Sequence, residues 1–319
     1  MRRGPAPLRR MLEEGTGVHV VDKVVVVDCG AVCHMALYSY ERLKSKEGLP
    51  TGILFGFFSL VYAMAFSNEC ARFAFCWDSK NSKRRDIYPE YKANRVKSEE
   101  LIESYKQFDH IRTEVLPSLG FANSFIQDGY EADDLIASIC KNNEGKKYIA
   151  SLDHDLYQLL DEDTCLVKPN SSEVRFTLSR FRELYDLEPE DWVMVKAMAG
   201  CSTDNVKGIP NVGEIRAVKH LTGKYQWQCT GREAEKIIHR NLRLVRLPMK
   251  GTKKIVLQEE EHLDFEKFCH MCEKYQFKKF LQHIDSWEVF FAGEVPQRRL
   301  KNYWRSPKFK SKMPTLGLV

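Results

Sequence analysis

Three carboxylates crowd one turn in "DGYEADDLIAS" (residues 128–138), where Glu131, Asp133 and Asp134 open what otherwise reads as an apolar helix. Four more acids stand at the ends of apolar runs. Asp28 lies in "KVVVVDCG" (23–30), Asp78 closes "CARFAFCWD" (70–78), and Asp153 and Asp155 close "KKYIASLDHD" (146–155). One such acid is an ordinary cap or turn residue. Repetition after three strand-like runs, beside a triple cluster, points to a site. Converging carboxylates without counter-charge raise one another's pKa or disrupt the fold. A divalent cation resolves the conflict, and all-oxygen ligands select Mg2+ or Mn2+ over zinc. Two ions about 4 Å apart, clamping a phosphodiester, fit the number of acids. A structural Ca2+ site would draw its ligands from one compact loop, whereas these come from distant segments.

The elements that must gather these acids are legible in the same runs. Continuous β-branched strands are those of a parallel sheet buried on both faces. Helical patterns at 51–68, 98–118 and 131–142 separate them, so the expected class is α/β, with a mostly parallel sheet covered by helices. In such a sheet ligands bind at the carboxyl edge. A helix that starts there tolerates acids in its first turn. Residues 49–68 carry no charge and approach the length of a membrane span. Glycines and polar residues dilute the run and a strand follows at once, so it reads as a buried helix beside the sheet.

From residue 191 the texture changes. "DWVMVKAMAGCSTDNVKGIPNVGEIRAVKHL" reads as a helix, an acid-bearing loop, a glycine-bracketed turn and a second helix. The turn "GIPNVG", containing Gly208, Ile209, Val212 and Gly213, exposes backbone at a helix start, an arrangement that suits phosphate. Residues 231–290 read as further amphipathic helices.

Across 319 residues the net charge is only +5, but the cations are unevenly placed. Residues 80–97 hold seven Lys and Arg, Lys83 and Arg84 among them, against two acids; residues 298–312 hold seven and no acid; residues 1–10 hold four Arg. Such patches suit a polyanion, nucleic acid before acidic lipid. Ten irregularly spaced cysteines in a chain this long read as reduced thiols of a cytoplasmic protein. The lone CxxC, Cys269 to Cys272, has no second pair for a structural zinc site. "PAPLRRMLEEGTG" interrupts any apolar leader, so no signal peptide is expected.

Taken in order, "VVVVDCG", "FCWDSK", "EYKANR", "GYEADDLIA", "SLDHDLYQLL" and "AGCSTDNVKGIPNVG" resemble the flap endonuclease and 5′→3′ exonuclease family, in its stand-alone bacterial and bacteriophage form. The resemblance covers 21–290. It implies a PIN-like 5′-nuclease domain over 21–190 with a helical arch near 80–117. A helical helix–turn–helix DNA-binding domain would follow over 191–290, with a flexible basic extension at 1–20 and a basic tail at 291–319. It further implies that Asp28, Asp78, Glu131, Asp133, Asp134, Asp153, Asp155 and Asp204 coordinate two or more Mg2+ or Mn2+ ions. Lys92 and Arg95 would contact the scissile phosphate. Tyr91 would stack on a terminal base or, equally, pack in the base of the arch. Lys83 and Arg84 would add to the DNA-binding surface, and the GIPNVG turn would hold duplex backbone with the help of K+.

The implied activity is metal-dependent hydrolysis of DNA at 5′ ends, flaps or branches, in replication or repair, leaving a 5′-phosphate and a 3′-hydroxyl. RNA–DNA hybrids are a further expected substrate, the enzyme is expected to be a monomer, and the tail is a candidate site for a replication partner. Two positions depart from the family pattern. Cys201 stands where an acid is usual, and a thiolate is a poor Mg2+ ligand, so a metal site there would be weaker or completed by water, Ser202 or Thr203. Met35 stands where an Arg is common, with His34 beside it as a substitute phosphate contact or a packed histidine. The rival reading is a branched-DNA-binding protein that cuts poorly because of Cys201.

Overall fold

The computed structural model describes residues 22–95, 99–170, 175–225 and 231–296. The basic extension at 1–20, residues 96–98 of the expected arch and the tail beyond 296 lie outside them.

β1 (Lys23–Asp28) is followed directly by α1 (Cys29–Tyr40), then α2 (Gly52–Asn68), β2 (Phe73–Trp77), α3 (Arg84–Ile87) and α4 (Glu99–His110). After α4 come β3 (Ser124–Ile126), α5 (Ala132–Asn142), β4 (Lys146–Ala150), a 3-10 turn (His154–Leu159), β5 (Thr164–Val167) and β6 (Arg175–Phe176). The sheet order is β3-β2-β1-β4-β5-β6. Every pairing is parallel except β5 with β6. β1 is central, with Val26 opposite Ala74 on one side and Ile149 on the other.

Period-two alternation divides the strands between two cores. Val25, Val27, Phe73, Phe75 and Tyr148 face α1, α2 and α4, whereas Val24, Val26, Ala74, Cys76 and Ile149 face α5 and the 3-10 turn. The uncharged run at 52–68 is a helix of 17 residues, most of them buried. Among the described residues no helix is long and apolar enough to cross a membrane.

The second half adds α6 (Leu178–Tyr185), α7 (Trp192–Ala199), a two-stranded hairpin of β7 (Gly200–Cys201) and β8 (Val206–Lys207), α8 (Glu214–Leu221) and α9 (Arg232–Val245). Then come α10 (Phe265–Lys274), α11 (Lys278–Leu281) and α12 (Ile284–Phe291). These helices share their cores with the first half of the chain. Trp192, Val195 and Met198 share a core with Leu135, Ile136 and Tyr157, while Phe268, Phe280, Trp287 and Phe290 pack against Phe55, Phe58 and Phe73 on the other side of the sheet. This packing has a simple cause. Large aromatic faces on both sides of the sheet would stay wet without the returning chain, and at about 25 cal/mol per Å2 that exposure is costly.

The link between α9 and α10 is an extended strap. It is held by side chains that each bond its backbone twice. Ser138 Oγ donates to Lys253 O (2.7 Å) and accepts from Ile255 N (3.1 Å). Asn143 bonds Ile255 O and Leu257 N, Gln127 bonds Gly251 O and Lys253 N, and Asn123 bonds both the N and the O of Gln258.

Candidate active site

The carboxyl edge of the sheet gathers the acids. Asp28, the last residue of β1, caps α1 by accepting from Ala31 N (3.0 Å), and its other oxygen accepts from Ser151 Oγ (2.9 Å). Asp78 follows β2 and accepts from Ala132 N (2.8 Å), in the first turn of α5. A Cβ on Gly30 would lie 3.1 Å from Asp78 Oδ2 and 3.4 Å from Asp28 Oδ1, so both carboxylates lean over one bare stretch of backbone. Asp153 caps the 3-10 turn through Asp155 N (2.8 Å). Burial, then Asp78, pushes Asp28 up to about 6. Burial, then Asp153 and Asp28, pushes Asp133 up, and burial pushes Asp153 up. Among the described residues none of Asp28, Asp78, Asp133 and Asp153 has an ion-pair partner.

The other four acids hold cations. Asp134 is fully buried, and Arg84, only 2% exposed, grips both its oxygens (2.7 and 2.9 Å). Asp134 also accepts from Glu131 N (3.1 Å) and Met249 N (2.8 Å). Both Asp134 oxygens are thus bonded to Arg84 and to backbone N–H groups, and Arg84 is buried rather than exposed. Glu131 accepts from Lys92 Nζ (2.8 Å), Ser82 Oγ (2.9 Å) and Tyr91 OH (2.9 Å). Burial alone would raise its pKa, but Lys92 and Arg84 together hold it at about 2. Asp204 accepts from Arg95 (2.7 Å) and Tyr91 OH (3.1 Å). Tyr91 is 3% exposed and packs in a cluster with Ala197 and Val206. Lys83 lies over the Tyr130 ring, 4.6 Å from its centre.

Lys196 was not singled out by sequence reading. It is buried in α7, 2.8 Å from Asp155 and 2.8 Å from Glu214 at the start of α8. The available signal was a lone lysine inside the apolar run "WVMVKAMA". Asp155 is still pushed up to about 6, by burial and then by Asp153, with Lys196 opposing.

The basic motif docks on the acid-bearing loop by its backbone. Lys92 holds φ +53°, uncommon for lysine, while its N–H donates to Asp204 O (2.8 Å). Asn205 donates to Glu90 O (2.8 Å) and Asn94 to Ser202 O (3.2 Å). Cys201 lines a pocket with Glu131, Asp133, Asp155 and Asp204, its Sγ 3.0 Å from Thr203 Oγ1. Burial, then Asp204, pushes the thiol pKa up.

In the GIPNVG turn the Ile209 and Val212 side chains are buried among α5, α7 and α8 residues and anchor the turn, while Pro210, Asn211 and Gly213 are exposed. Gly208 is pressed against Ala199, and Gly213 faces open space. Met35 is buried in the core, and His34 packs edge-on to Phe108 (5.3 Å) and Tyr105 (5.9 Å), with burial lowering its pKa.

No three His, Cys, Asp or Glu side chains among the described residues already surround one point in a ligand arrangement. The donor set nonetheless fits a hard divalent cation. Its members are carboxylate oxygens that lack counter-ions and strain against ionisation, as Asp28, Asp133 and Asp153 do.

Residues 23–186 match the profile of the 5′-3′ exonuclease N-terminal, resolvase-like domain. This chain belongs to the 5′→3′ exonuclease family. It is 33% identical over 183 residues to a 5′-3′ exonuclease of Halalkalibacterium halodurans, covering 55% of this chain and 59% of that protein. It is also 33% identical over 207 residues to DNA polymerase I of Mycobacterium tuberculosis, covering 62% of this chain but only 22% of the polymerase. Among solved structures, this 5′→3′ exonuclease family member resembles T5 5′-exonuclease bound to zinc ions, with a TM-score of 0.59 at 21% identity, over 71% of this chain and 90% of that one. It also resembles flap endonuclease-1 from Methanococcus jannaschii, with a TM-score of 0.52 at 14% identity, over 85% and 93%. At such identities the likeness is one of fold, the PIN-like flap nuclease fold expected from the motifs.

Proposed function

We propose that the protein is a divalent-metal-dependent, structure-specific 5′ nuclease acting on DNA at 5′ ends or flap junctions, in replication or repair. The observation that carries this reading is the division of the acids at one sheet edge. Among the described residues Asp28, Asp78, Asp133 and Asp153 pair with no cation, while Glu131, Asp204 and Asp155 hold Lys92, Arg95 and Lys196. Mg2+ or Mn2+ held by the first set, with Asp155 and Asp204 beside it, would neutralise the repulsion and polarise a phosphodiester. Lys92 and Arg95, pre-oriented by Glu131 and Asp204, would donate to the phosphate oxygens as charge builds in the transition state. The backbone at Gly213 and the start of α8, with K+, would receive duplex phosphates. Such contacts ignore base identity, so RNA–DNA hybrids belong among the substrates to be tried. A T5 flap endonuclease, similar in fold with a TM-score of 0.58, has been solved with DNA and metal ions, which supports this assignment.

Cys201 favours a second reading, a branched-DNA binder with weak cleavage. Its thiol is held protonated beside Asp204, where an oxygen ligand would serve Mg2+ better. The test is a labelled 5′-flap duplex incubated across Mg2+ and Mn2+ titrations with the unmodified chain and Cys201→Asp. Prompt cleavage by the unmodified chain in Mg2+ supports the nuclease. Tight binding without cleavage, with cleavage gained by Cys201→Asp, supports the binder.

A further inference from the structure

The face of α9 turned away from the core carries a stripe of basic residues that the nuclease reading leaves without a role. α9 buries Ala234, Asn241, Leu244 and Val245, packing on α7 and α3. Arg232, Lys236, His239 and Arg243 follow one another at intervals of four, three and four residues, and Arg246 continues the series at the helix cap. All five are exposed. At 3.6 residues per turn this spacing keeps them on one strip. Among the described residues Lys236 has only a long contact to Glu233, 3.9 Å away, and Arg232, Arg243 and Arg246 pair with no acid. The acids of the helix, Glu233 and Glu235, are confined to its first turn, where the dipole favours them. A solvated face ordinarily mixes the two signs. Beyond that first turn this strip carries no acid, which leaves it open to an anion from outside.

The stripe also leads somewhere. Leu244 and Val245, at the C-terminal end of α9, and Leu247 just beyond it line the same pocket as Asp133, Asp155 and Asp204, with Arg246 between them in the chain. The helix is 14 residues long, about 21 Å. Along one strand of a duplex that is about six nucleotides at ~3.4 Å each. An anionic membrane fits less well, because a helix that binds one needs apolar residues free to enter it, and those of α9 are already buried.

We propose that this face of α9 is a backbone track that holds the phosphates of the duplex flanking the cleaved bond, from the acid pocket outward. The inference rests on the nuclease reading and names the path its substrate takes.

Binding of a 5′-flap duplex is followed by fluorescence anisotropy across a salt series, in Ca2+, which carboxylates hold in looser geometry than Mg2+. The unmodified chain is compared with Lys236→Glu/Arg243→Glu and with a charge-matched control, Lys254→Glu/Lys278→Glu, at exposed positions off the stripe. Thermal midpoints confirm that each is folded. The stripe variant should bind at least tenfold more weakly at low salt. The slope of log K against log salt should be shallower by about 2, since each duplex phosphate contact contributes about 0.9. The control should keep the slope of the unmodified chain. A slope that the stripe variant shares with the unmodified chain overturns the proposal. Cleavage in Mg2+ is measured on the same preparations. An unmodified chain that does not cut removes the nuclease reading while a changed slope still upholds the track, and normal cutting with an unchanged slope removes the track alone.

Discussion

Lys92 Nζ lies 2.8 Å from Glu131 Oε2, so a cation expected at the scissile phosphate is held by an acid expected at a metal. The pair explains both perturbations. Glu131 stays ionised down to about 2 in spite of burial, and Lys92 stays charged although half-buried. Lys92→Ala should therefore lower single-turnover cleavage of a 5′-flap duplex by about 10^2–10^3, the usual cost of one preorganised donor, with little change in DNA affinity. Glu131→Gln, which keeps a hydrogen-bond acceptor for Lys92, should cost less and leave the Mg2+ midpoint where it was. A midpoint moved by Glu131→Gln would return Glu131 to the metal ligands.

Arg84 and Asp134 form a buried pair whose loss should be felt in folding before chemistry. Arg84→Met leaves a carboxylate with 0% exposure and no cation, a change that typically costs about 3–5 kcal/mol. Removing both charges in Arg84→Met/Asp134→Leu should recover most of that, because a buried pair and well-packed apolar side chains are nearly equivalent in energy. Urea unfolding of the three proteins decides. A double variant no more stable than the single one would mean that the bonds from Asp134 to Glu131 N and Met249 N matter more than the charge.

Stability should depend on pH and metal together. Asp28 and Asp155 have ordinary values of 3.8 and are raised to about 6. Between those limits the folded chain binds more protons than the unfolded one, so without metal its stability falls as pH rises through that window. Glu131 acts oppositely. Its pKa falls from 4.5 to about 2, so its contribution is present above the upper value and lost as pH drops towards the lower. Thermal midpoints of the metal-free protein should thus decline from about pH 4 to pH 6, and Mg2+ should restore them at the upper end while releasing protons. A flat profile unaffected by Mg2+ would contradict the cluster.

The sheet and its acids were readable because β1, β2 and β4 are buried on both faces, which writes them as unbroken apolar runs. β3, β5 and β6 have three, four and two residues, too few to show a period, and were missed. The roles of the acids were less legible. Asp133 and Asp134 are adjacent in sequence, yet successive helix positions point about 100° apart, so one faces the open cluster and the other faces Arg84. Nothing in "EADD" says which. Lys196 escaped for a related reason, since a lysine in an apolar helix looks like an interruption until its two acids, 41 residues before it and 18 after, are brought alongside.

The GIPNVG turn makes a last prediction with two parts. A Cβ on Gly208 would fall 2.1 Å from Ala199 O, so the turn can close on α7 only without a side chain there. Gly208→Ala should destabilise the fold by about 1–3 kcal/mol, as overpacking does, and weaken duplex binding as a consequence. Gly213 is different. Its φ is −93° and a Cβ would meet nothing within 4 Å. Gly213→Ala should leave the thermal midpoint unchanged. If duplex phosphate approaches the start of α8 there, the new methyl should nonetheless weaken binding by roughly tenfold, ~1.4 kcal/mol. Anisotropy titrations beside thermal melts separate the cases, and full binding by Gly213→Ala would move the duplex contact away from this turn.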